Sequence, residues 1–247
     1  MGSFFPDQRM KPTMSTIHTS TRLICSLCLA LPASLFAAGM VPETTLLLID
    51  EANHGGVMSV KNTDSIPTLL YTSIRDIGGD QGVKLNVTQP VVRLEPGQEQ
   101  QVRFILETDK PLSVEQYKRV VFEGIPPKSA DKNVKVGINL RQDLPVLIHP
   151  KDLPVVTDAW KLLTWSVTGK EIKVQNPSAY VVRFSTSVTL LPSHTEGLVN
   201  KTFILPGETM TVQTDTPVNG TDNAIEFNPA SRYGIEVESF TASLTRQ

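Results

Sequence analysis

The sequence predicts an all-β protein made of two immunoglobulin-like β-sandwich domains. Three observations support this prediction: short segments in which apolar and polar residues alternate, turn clusters between those segments, and a sequence pattern that occurs twice. The sequence contains no sustained helical period. One larger sandwich with an irregular middle is the alternative architecture.

The first half of the chain contains six segments rich in Val, Ile, Leu, Thr and Tyr, the residue types that favour strands. These predicted strands cover residues 44–49, 57–62, 68–75, 84–88, 101–106 and 117–125. Turn clusters lie between several of them, at residues 53–56, 78–82, 95–97 and 126–127. Short strands at this spacing are typical of a β-sandwich.

Two short motifs occur once in each half of the chain. Val-Lys-Asn at residues 60–62 returns as Val-Gln-Asn at residues 174–176. Pro96-Gly97 and Pro206-Gly207 each precede a segment that has valine five residues after the glycine. A repeat of roughly a hundred residues is the trace that two copies of one domain leave in a sequence. We therefore expect one domain at residues 40–149 and a second at residues 150–247.

Residues 1–39 are predicted to be a secretory signal peptide. Three basic residues precede an apolar stretch that ends in small residues, and either Met10 or Met14 is an alternative start. A membrane anchor is the other interpretation, but the apolar stretch is shorter than the roughly 20 residues of a spanning helix and contains Pro32. Both cysteines, Cys25 and Cys28, lie in this segment. The exported chain then contains no cysteine and depends on burial alone for stability.

The composition excludes several classes of function. From residue 40 onward the chain carries 20 basic and 24 acidic side chains without a basic stripe, which argues against a nucleic-acid partner. The exported chain has three widely separated histidines and lacks nucleophile-elbow, phosphate-loop and zinc-protease motifs. We therefore expect no catalytic residue, no metal site and no cofactor, and the chain is not predicted to be an enzyme.

One segment, residues 134–140, reads Val-Lys-Val-Gly-Ile-Asn-Leu, a strict alternation of aliphatic and other residues. On a strand, this spacing places four aliphatic side chains in one apolar row: Val134, Val136, Ile138 and Leu140. Such a row is either one wall of a sandwich core or a template for a strand of another chain.

The motifs and their order resemble those of the PapD-like periplasmic pilus chaperones. In the first domain the resemblance rests on Thr88-Gln89-Pro90, Leu94-Glu95-Pro96-Gly97-Gln98, Val102-Arg103-Phe104 and Leu147-Ile148-His149-Pro150. In the second domain it rests on Val174-Gln175-Asn176-Pro177, Leu205-Pro206-Gly207 and Tyr233-Gly234. The match covers residues 41–245. It implies two immunoglobulin-like domains in an L-shaped arrangement and a location in the periplasm.

The resemblance also implies a function for residues 134–140. In this family the last strand of the first domain is lent to a pilus subunit that lacks a strand, and an outer-membrane usher then receives the subunit. An exposed apolar strand is an aggregation hazard, so we expect the free chaperone to self-associate. The alternative function is that of a pilus structural subunit or adhesin.

The chain departs from the family at two positions in the cleft between the domains. There the family carries an arginine and a lysine that bind the terminal carboxylate of the subunit. Counting from Asn62 and Pro150, these positions fall on Leu46 and Pro145, and neither is basic. The departure suggests a divergent branch, such as the archaic or alternative chaperone-usher systems.

A replacement for the missing basic pair is predicted from hairpin geometry. If Pro126 pairs with Asn133, then Arg119 lies opposite Leu140. Three cations, Lys118, Arg119 and Arg141, then gather at the base of the hairpin. Arginine binds a carboxylate through two parallel charge-assisted hydrogen bonds. The candidate anchor is therefore Arg119, with Arg141 or Lys118. Alternatively, these residues are solvated surface charges or form an interdomain salt bridge with Asp143 or Glu123.

Overall fold

The computed structural model describes residue 1 and residues 39–77, 82–128 and 140–246. Ala38–Gln247 form one compact unit. Apart from one short 3-10 helix, Ala159–Leu162, the regular elements among the described residues are strands. The predicted signal peptide, and Val134, Val136 and Ile138 of the predicted apolar row, lie outside the described residues.

The described part of the first domain contains nine strands: β1 Met40–Pro42, β2 Leu47–Asp50, β3 Gly55–Asn62, β4 Thr68–Asp76, β5 Val83–Val87, β6 Val91–Leu94, β7 Glu99–Thr108, β8 Gln116–Ile125 and β9 Arg141–His149. They are hydrogen-bonded in the order β5-β7-β3-β2-β9-β8-β4-β6, with β1 also paired to β3. Strand β2 connects the two layers, because it pairs with β3 at one residue and runs parallel to β9.

The second domain contains eight strands among the described residues: β10 Thr164–Thr168, β11 Glu171–Gln175, β12 Val182–Leu191, β13 Thr195–Leu198, β14 Phe203–Ile204, β15 Thr209–Thr214, β16 Ala224–Ala230 and β17 Phe240–Arg246. Their order, β13-β15-β11-β10-β17-β16-β12-β14, repeats the plan of the first domain. In this domain β10 takes the place of β2, because it runs parallel to the last strand, β17.

Each domain has its own apolar core, as alternation along its strands requires. The first core includes Met58, Phe104 and Phe122, and the second is centred on Trp165 and Phe227. The two rings of the second core lie 5.2 Å apart. The prediction of an all-β protein with two sandwich domains is therefore confirmed.

The repeated motifs form the same turn in both domains. Asn62 is fully buried, donates to the carbonyl of Leu94 at 3.0 Å and accepts from the Gly97 N–H at 2.8 Å. In the second domain Asn176 is fully buried and accepts from the Gly207 N–H at 2.8 Å. Both glycines have positive φ, 76° and 74°, a conformation that glycine adopts without steric cost. A buried asparagine thus fixes each Pro-Gly turn.

Candidate functional site

The last strand of the first domain is paired along its whole length on only one side. Strand β8 covers β9 from Arg141 to Ile148, whereas β2 covers only Val146 to His149. On the β2 side, no described strand pairs with Arg141 to Pro145. We call this stretch the open edge. It can accept a strand of another chain, because unpaired backbone groups on a sheet edge are a template for pairing.

The backbone groups of the open edge can be assigned from the paired part of β9. The Glu51 N–H donates to the His149 carbonyl at 3.0 Å, so odd-numbered residues of β9 point their backbone groups towards β2. By the same alternation, Arg141, Asp143 and Pro145 point theirs towards the open side.

The even-numbered side chains of β9 form a row that leaves the core gradually. Val146 and Ile148 are fully buried, Leu144 packs partly against the core, and Gln142 is half-buried. Leu140, immediately before β9, is 45% exposed. It belongs to the same alternation, so the described end of the predicted apolar row is accessible to a partner.

The predicted hairpin register is wrong. Arg119 lies opposite Pro145 rather than Leu140, and Arg141 lies opposite Glu123. The prediction assumed a short connection, but residues 126–140 lie between the two strands. Because the length of a connection fixes the register of a hairpin, the longer connection shifts every pair.

Two of the three predicted cations are therefore not beside Arg119. Lys118 has a fully buried side chain on the core side of β8, where its Nζ donates to Asp76 at 2.6 Å. Arg141 is displaced along the sheet and forms an exposed salt bridge with Glu123, at 2.9 Å from Nε to Oε2. The predicted gathering of Lys118, Arg119 and Arg141 does not occur.

Arg119 instead shares a carboxylate with a different arginine. Its Nε donates to Asp143 Oδ1 at 2.7 Å, and Arg75 Nη2 donates to Asp143 Oδ2 at 2.6 Å. The two arginines lie directly opposite each other on β8 and β4. Two guanidinium groups and one carboxylate leave one positive charge uncompensated, so this group of residues favours a second carboxylate.

The cleft positions that are basic in the family are apolar in the structure as well. Leu46 is 4% exposed and packs with Tyr117, Leu147 and Val181 in a cluster shared by the two domains. Pro145 is buried. Across the same boundary the Tyr117 and Phe203 rings lie 4.5 Å apart. Leu46 and Pro145 therefore provide no cation that could bind a carboxylate.

A buried carboxylate that sequence reasoning missed joins the two domains. Glu115 Oε1 accepts from Arg232 Nη1 at 2.6 Å and lies 2.9 Å from His149 Nδ1. Its other oxygen accepts from the Val181 N–H at 2.9 Å. The Glu115 side chain is only 2% exposed. Buried charges require paired hydrogen-bonding partners, so this cluster fixes the second domain to the base of β9. Nothing in the sequence links these distant residues.

A second exposed feature lies on the outer face of the β8-β4-β6 layer. Four apolar side chains there are 38–53% exposed: Leu69, Tyr71, Val91 and Ile125. Leu69 lies opposite Ile125, and Tyr71 lies opposite Val91, so the four form one patch. We call it the outer patch. Grouped apolar side chains on a surface are typical of contact sites for other proteins.

Other kinds of site are not formed by the described residues. Within ranges 39–77, 82–128 and 140–246, no group of three or more His, Cys, Asp or Glu side chains is arranged to hold a metal ion. No helix in that part of the chain has the length and hydropathy needed to cross a membrane.

Comparison with known proteins identifies the family. Residues 39–154 match the family described as pili and flagellar-assembly chaperone, PapD N-terminal domain, and residues 158–241 match the PapD C-terminal domain. Both families are of assembly chaperones, neither enzymes nor pilus subunits.

Individual relatives agree with this assignment. The chain is 48% identical over 209 residues to the uncharacterized fimbrial chaperone YhcA of Escherichia coli K12, covering 84% of this chain and 92% of that protein.

Solved structures of pilus chaperones share the fold at low sequence identity. The structure of the Salmonella enterica SafA pilin in complex with the SafB chaperone matches with a TM-score of 0.68 and 22% identity, over 85% of this chain and 98% of that chain. The E. coli chaperone DraB matches with a TM-score of 0.65 and 19% identity, over 83% and 98%. Together with the family matches, these findings show that this chain belongs to the PapD-like family of fimbrial chaperones.

Proposed function

We propose that this protein is a periplasmic chaperone that lends the strand around Leu140 and β9 to a pilus subunit and delivers the subunit to an outer-membrane usher. The open edge, Arg141 to Pro145, is the observation that carries the proposal. A strand of the subunit pairs with it through main-chain hydrogen bonds, and alternate side chains of the lent strand enter the groove of the subunit. The relative SafB is described in complex with the SafA pilin, which supports this class of partner.

The energy of the contact comes from the apolar row. Fully burying one aliphatic side chain contributes roughly 1.5–3 kcal/mol before ordering and association costs. Leu140 is described and 45% exposed, so its burial in a subunit is a gain that the free chaperone lacks. Val134, Val136 and Ile138 are predicted to act in the same way. In the absence of a subunit, the same row favours self-association.

Arg119 is the proposed carboxylate anchor. It is 26% exposed, it shares Asp143 with Arg75, and it lies opposite Pro145 at the end of the open edge. A terminal carboxylate of the subunit would compensate the remaining positive charge. Arg141 and Lys118 are less suited to this role, because Arg141 pairs with Glu123 and the buried Lys118 pairs with Asp76.

The outer patch is the proposed contact for the usher. Its side chains lie on β4, β6 and β8 and none of them belongs to the open edge of β9. Val91→Asp is expected to reduce pilus assembly while the amount of chaperone-bound subunit stays unchanged. Val57→Asp, at a residue of similar exposure on β3, is the control. Loss of bound subunit in Val91→Asp would assign the patch to the subunit instead.

The decisive test of strand lending compares two exposed leucines. The chaperone is co-expressed in the periplasm with a candidate pilus subunit, and the subunit that co-purifies is measured. Leu140→Asp is expected to reduce it at least about tenfold, because a buried charge is not tolerated in a dry groove. Leu198→Asp, at a 58% exposed position on β13, should have no effect. Equal yields from the two variants would overturn strand lending through this row.

A further inference from the structure

A histidine at the junction of the two domains has an acceptor at each of its ring nitrogens. His149 is 7% exposed; its Nδ1 lies 2.9 Å from Glu115 Oε1, and its Nε2 lies 3.0 Å from the carbonyl oxygen of Leu153. A neutral imidazole has one N–H and one bare nitrogen, whereas an imidazolium donates from both nitrogens. In the neutral form, one bare nitrogen would face an oxygen lone pair at hydrogen-bond distance. Both contacts are hydrogen bonds only when a second proton is present.

Glu115 is the other group that could hold the second proton, but its remaining partners are donors. Its Oε1 also accepts from Arg232 Nη1 at 2.6 Å, and its Oε2 accepts from the Val181 N–H at 2.9 Å. A guanidinium pairs most strongly with an ionised carboxylate. The arrangement therefore favours a carboxylate at Glu115, with the second proton on His149.

Three acidic residues contact His149 among the residues that the structure describes. Glu115 contacts the ring, the Glu51 N–H donates to the His149 carbonyl at 3.0 Å, and Asp50 lies opposite His149 on β2. Glu51 is 6% exposed, and both of its carboxylate oxygens accept from backbone N–H groups at 2.9 Å. The Asp50 carboxylate accepts from the turn that follows β2. Glu115 is thus the carboxylate that binds the ring directly.

Two arginines of the second domain lie on the other side of Glu115. Arg232 binds Glu115 Oε1, and Arg183 lines the cavity that Glu115 also lines. The charged side chains that directly follow Pro150, Lys151 and Asp152, are exposed. Three acidic residues and two arginines leave one negative charge at the junction, and an imidazolium compensates it. Buried charges are tolerated when they are paired in this way.

His149 ties the first domain to the linker as well as to Glu115. Leu153, whose carbonyl faces Nε2, lies between β9 and the 3-10 helix. The second domain holds the next residue of the same linker, because the Tyr180 hydroxyl donates to the Pro154 carbonyl at 2.7 Å. Loss of the second proton from His149 would replace one hydrogen bond by a contact between two lone pairs. A buried acceptor without a donor is unfavourable, so the junction would weaken.

We propose that His149 is an imidazolium in the folded protein and makes the junction between the two domains sensitive to pH. In an unfolded chain, an imidazole loses its second proton at about pH 6.5. Above that pH the folded protein binds one proton more than the unfolded chain, so its stability falls as the pH rises. The junction is therefore tighter in mild acid than in mild base. This inference concerns the chaperone alone and requires neither a bound subunit nor strand lending.

The first test observes the ring of His149 directly. From residue 40 onward the chain has two other histidines, His54 and His194, which are both exposed. Both have positive φ, 52° and 57°, so asparagine is a suitable replacement for each. In the chain purified from the periplasm with His54→Asn and His194→Asn, nitrogen NMR at mildly basic pH is expected to show two protonated ring nitrogens. One bare nitrogen on His149 would overturn the proposal.

The second test measures the melting temperature across the same pH range. The wild-type melting temperature is expected to fall by roughly 3–5 °C per pH unit above about pH 6.5. His149→Gln should remove most of this slope, whereas the double variant His54→Asn/His194→Asn should keep it. Glu115→Gln should also remove it, and combining it with His149→Gln should change the slope no further, because both variants remove one bond.

Equal slopes in the wild type and His149→Gln would overturn the proposal. If His149→Gln does not fold, the ring spectrum of the first test decides. Neither result bears on strand lending, which is measured by the subunit that co-purifies with Leu140→Asp.

Discussion

The two domains share one strand order but use their last strands differently. In the second domain β17 contributes Phe240, Ala242 and Leu244 to its own core, where the Phe240 and Phe227 rings lie 5.9 Å apart. In the first domain Val146 and Ile148 of β9 lie in the core and Leu144 packs partly against it, but Gln142, at the position that corresponds to Phe240, is half-buried.

The difference shows that the last strand of one fold can either complete the core of its own domain or leave part of that strand unpaired. Both last strands run parallel to the first long strand of their domain, over a short stretch only. Aromatic and aliphatic side chains complete the row in the second domain, whereas a half-buried glutamine and an exposed leucine interrupt it in the first. The first domain thus keeps unpaired backbone and apolar surface for a partner.

The largest expected effect concerns the cluster that joins the two domains. Glu115→Ala leaves the Arg232 guanidinium buried without its carboxylate, so we expect a loss of about 3–5 kcal/mol in the free energy of unfolding. The two domains should then unfold in separate transitions in calorimetry. Glu123→Ala, which removes the exposed salt bridge to Arg141, should cost less than about 1 kcal/mol. Equal costs would show that the cluster does not couple the domains.

The next effect tests the contrast between the last strands directly. Phe240→Ala removes an aromatic side chain that packs on the second core, and we expect a loss of about 2–3 kcal/mol. Gln142→Ala, at the corresponding position of the first domain, should cost less than about 1 kcal/mol, because a half-buried polar side chain is lost. Chemical denaturation measures both. A larger loss from Gln142→Ala would contradict the idea that this end of β9 contributes little to the core of its own domain.

A smaller pair of effects tests what the two domains share. Asn62→Ala and Asn176→Ala each leave buried backbone groups of a Pro-Gly turn without a partner, and each should cost about 2 kcal/mol. Similar losses in denaturation experiments would confirm that one turn is used twice. A loss confined to one variant would show that the turns differ in energy despite their common geometry.

The smallest effect lies in the segment that leads into the second domain. The hydrogen bond from Lys161 lowers the pKa of the part-exposed Asp158. The pair therefore favours folding above the ordinary pKa of aspartate, and this contribution is lost as the pH falls through the lowered pKa. Lys161→Ala should raise the pKa of Asp158, followed by NMR titration, without a measurable change in melting temperature. An unchanged pKa of Asp158 would show that Lys161 does not lower it.

Local patterns predicted much of the fold. The predicted segments at residues 57–62, 68–75 and 117–125 correspond to β3, β4 and β8 within two residues at each end. Alternation and turn residues act locally, so they are readable from sequence. The repeated asparagine and Pro-Gly motifs also have a local cause, since each asparagine caps the turn that belongs to its own domain.

The candidate site was less accessible to sequence reasoning. The register of β8 and β9 depends on how residues 126–140 connect them, which alternation does not determine. Lys118 lies on the core side of β8 with Val120 and Phe122, and its ion pair depends on Asp76 of a neighbouring strand. Glu115 acquires its role from contacts across the domain boundary. Such contacts leave no local pattern in the chain.

Pro145 limits how far any partner can pair with the open edge. It points its backbone groups to the open side, and proline has no N–H to donate. The last donor available to an added strand is therefore Asp143. A short edge that ends in proline is also a poor template for the indefinite strand-by-strand growth of aggregates. Pro145, which stands where the family has a basic residue, thus also lowers the tendency of the open edge to aggregate while no partner is bound.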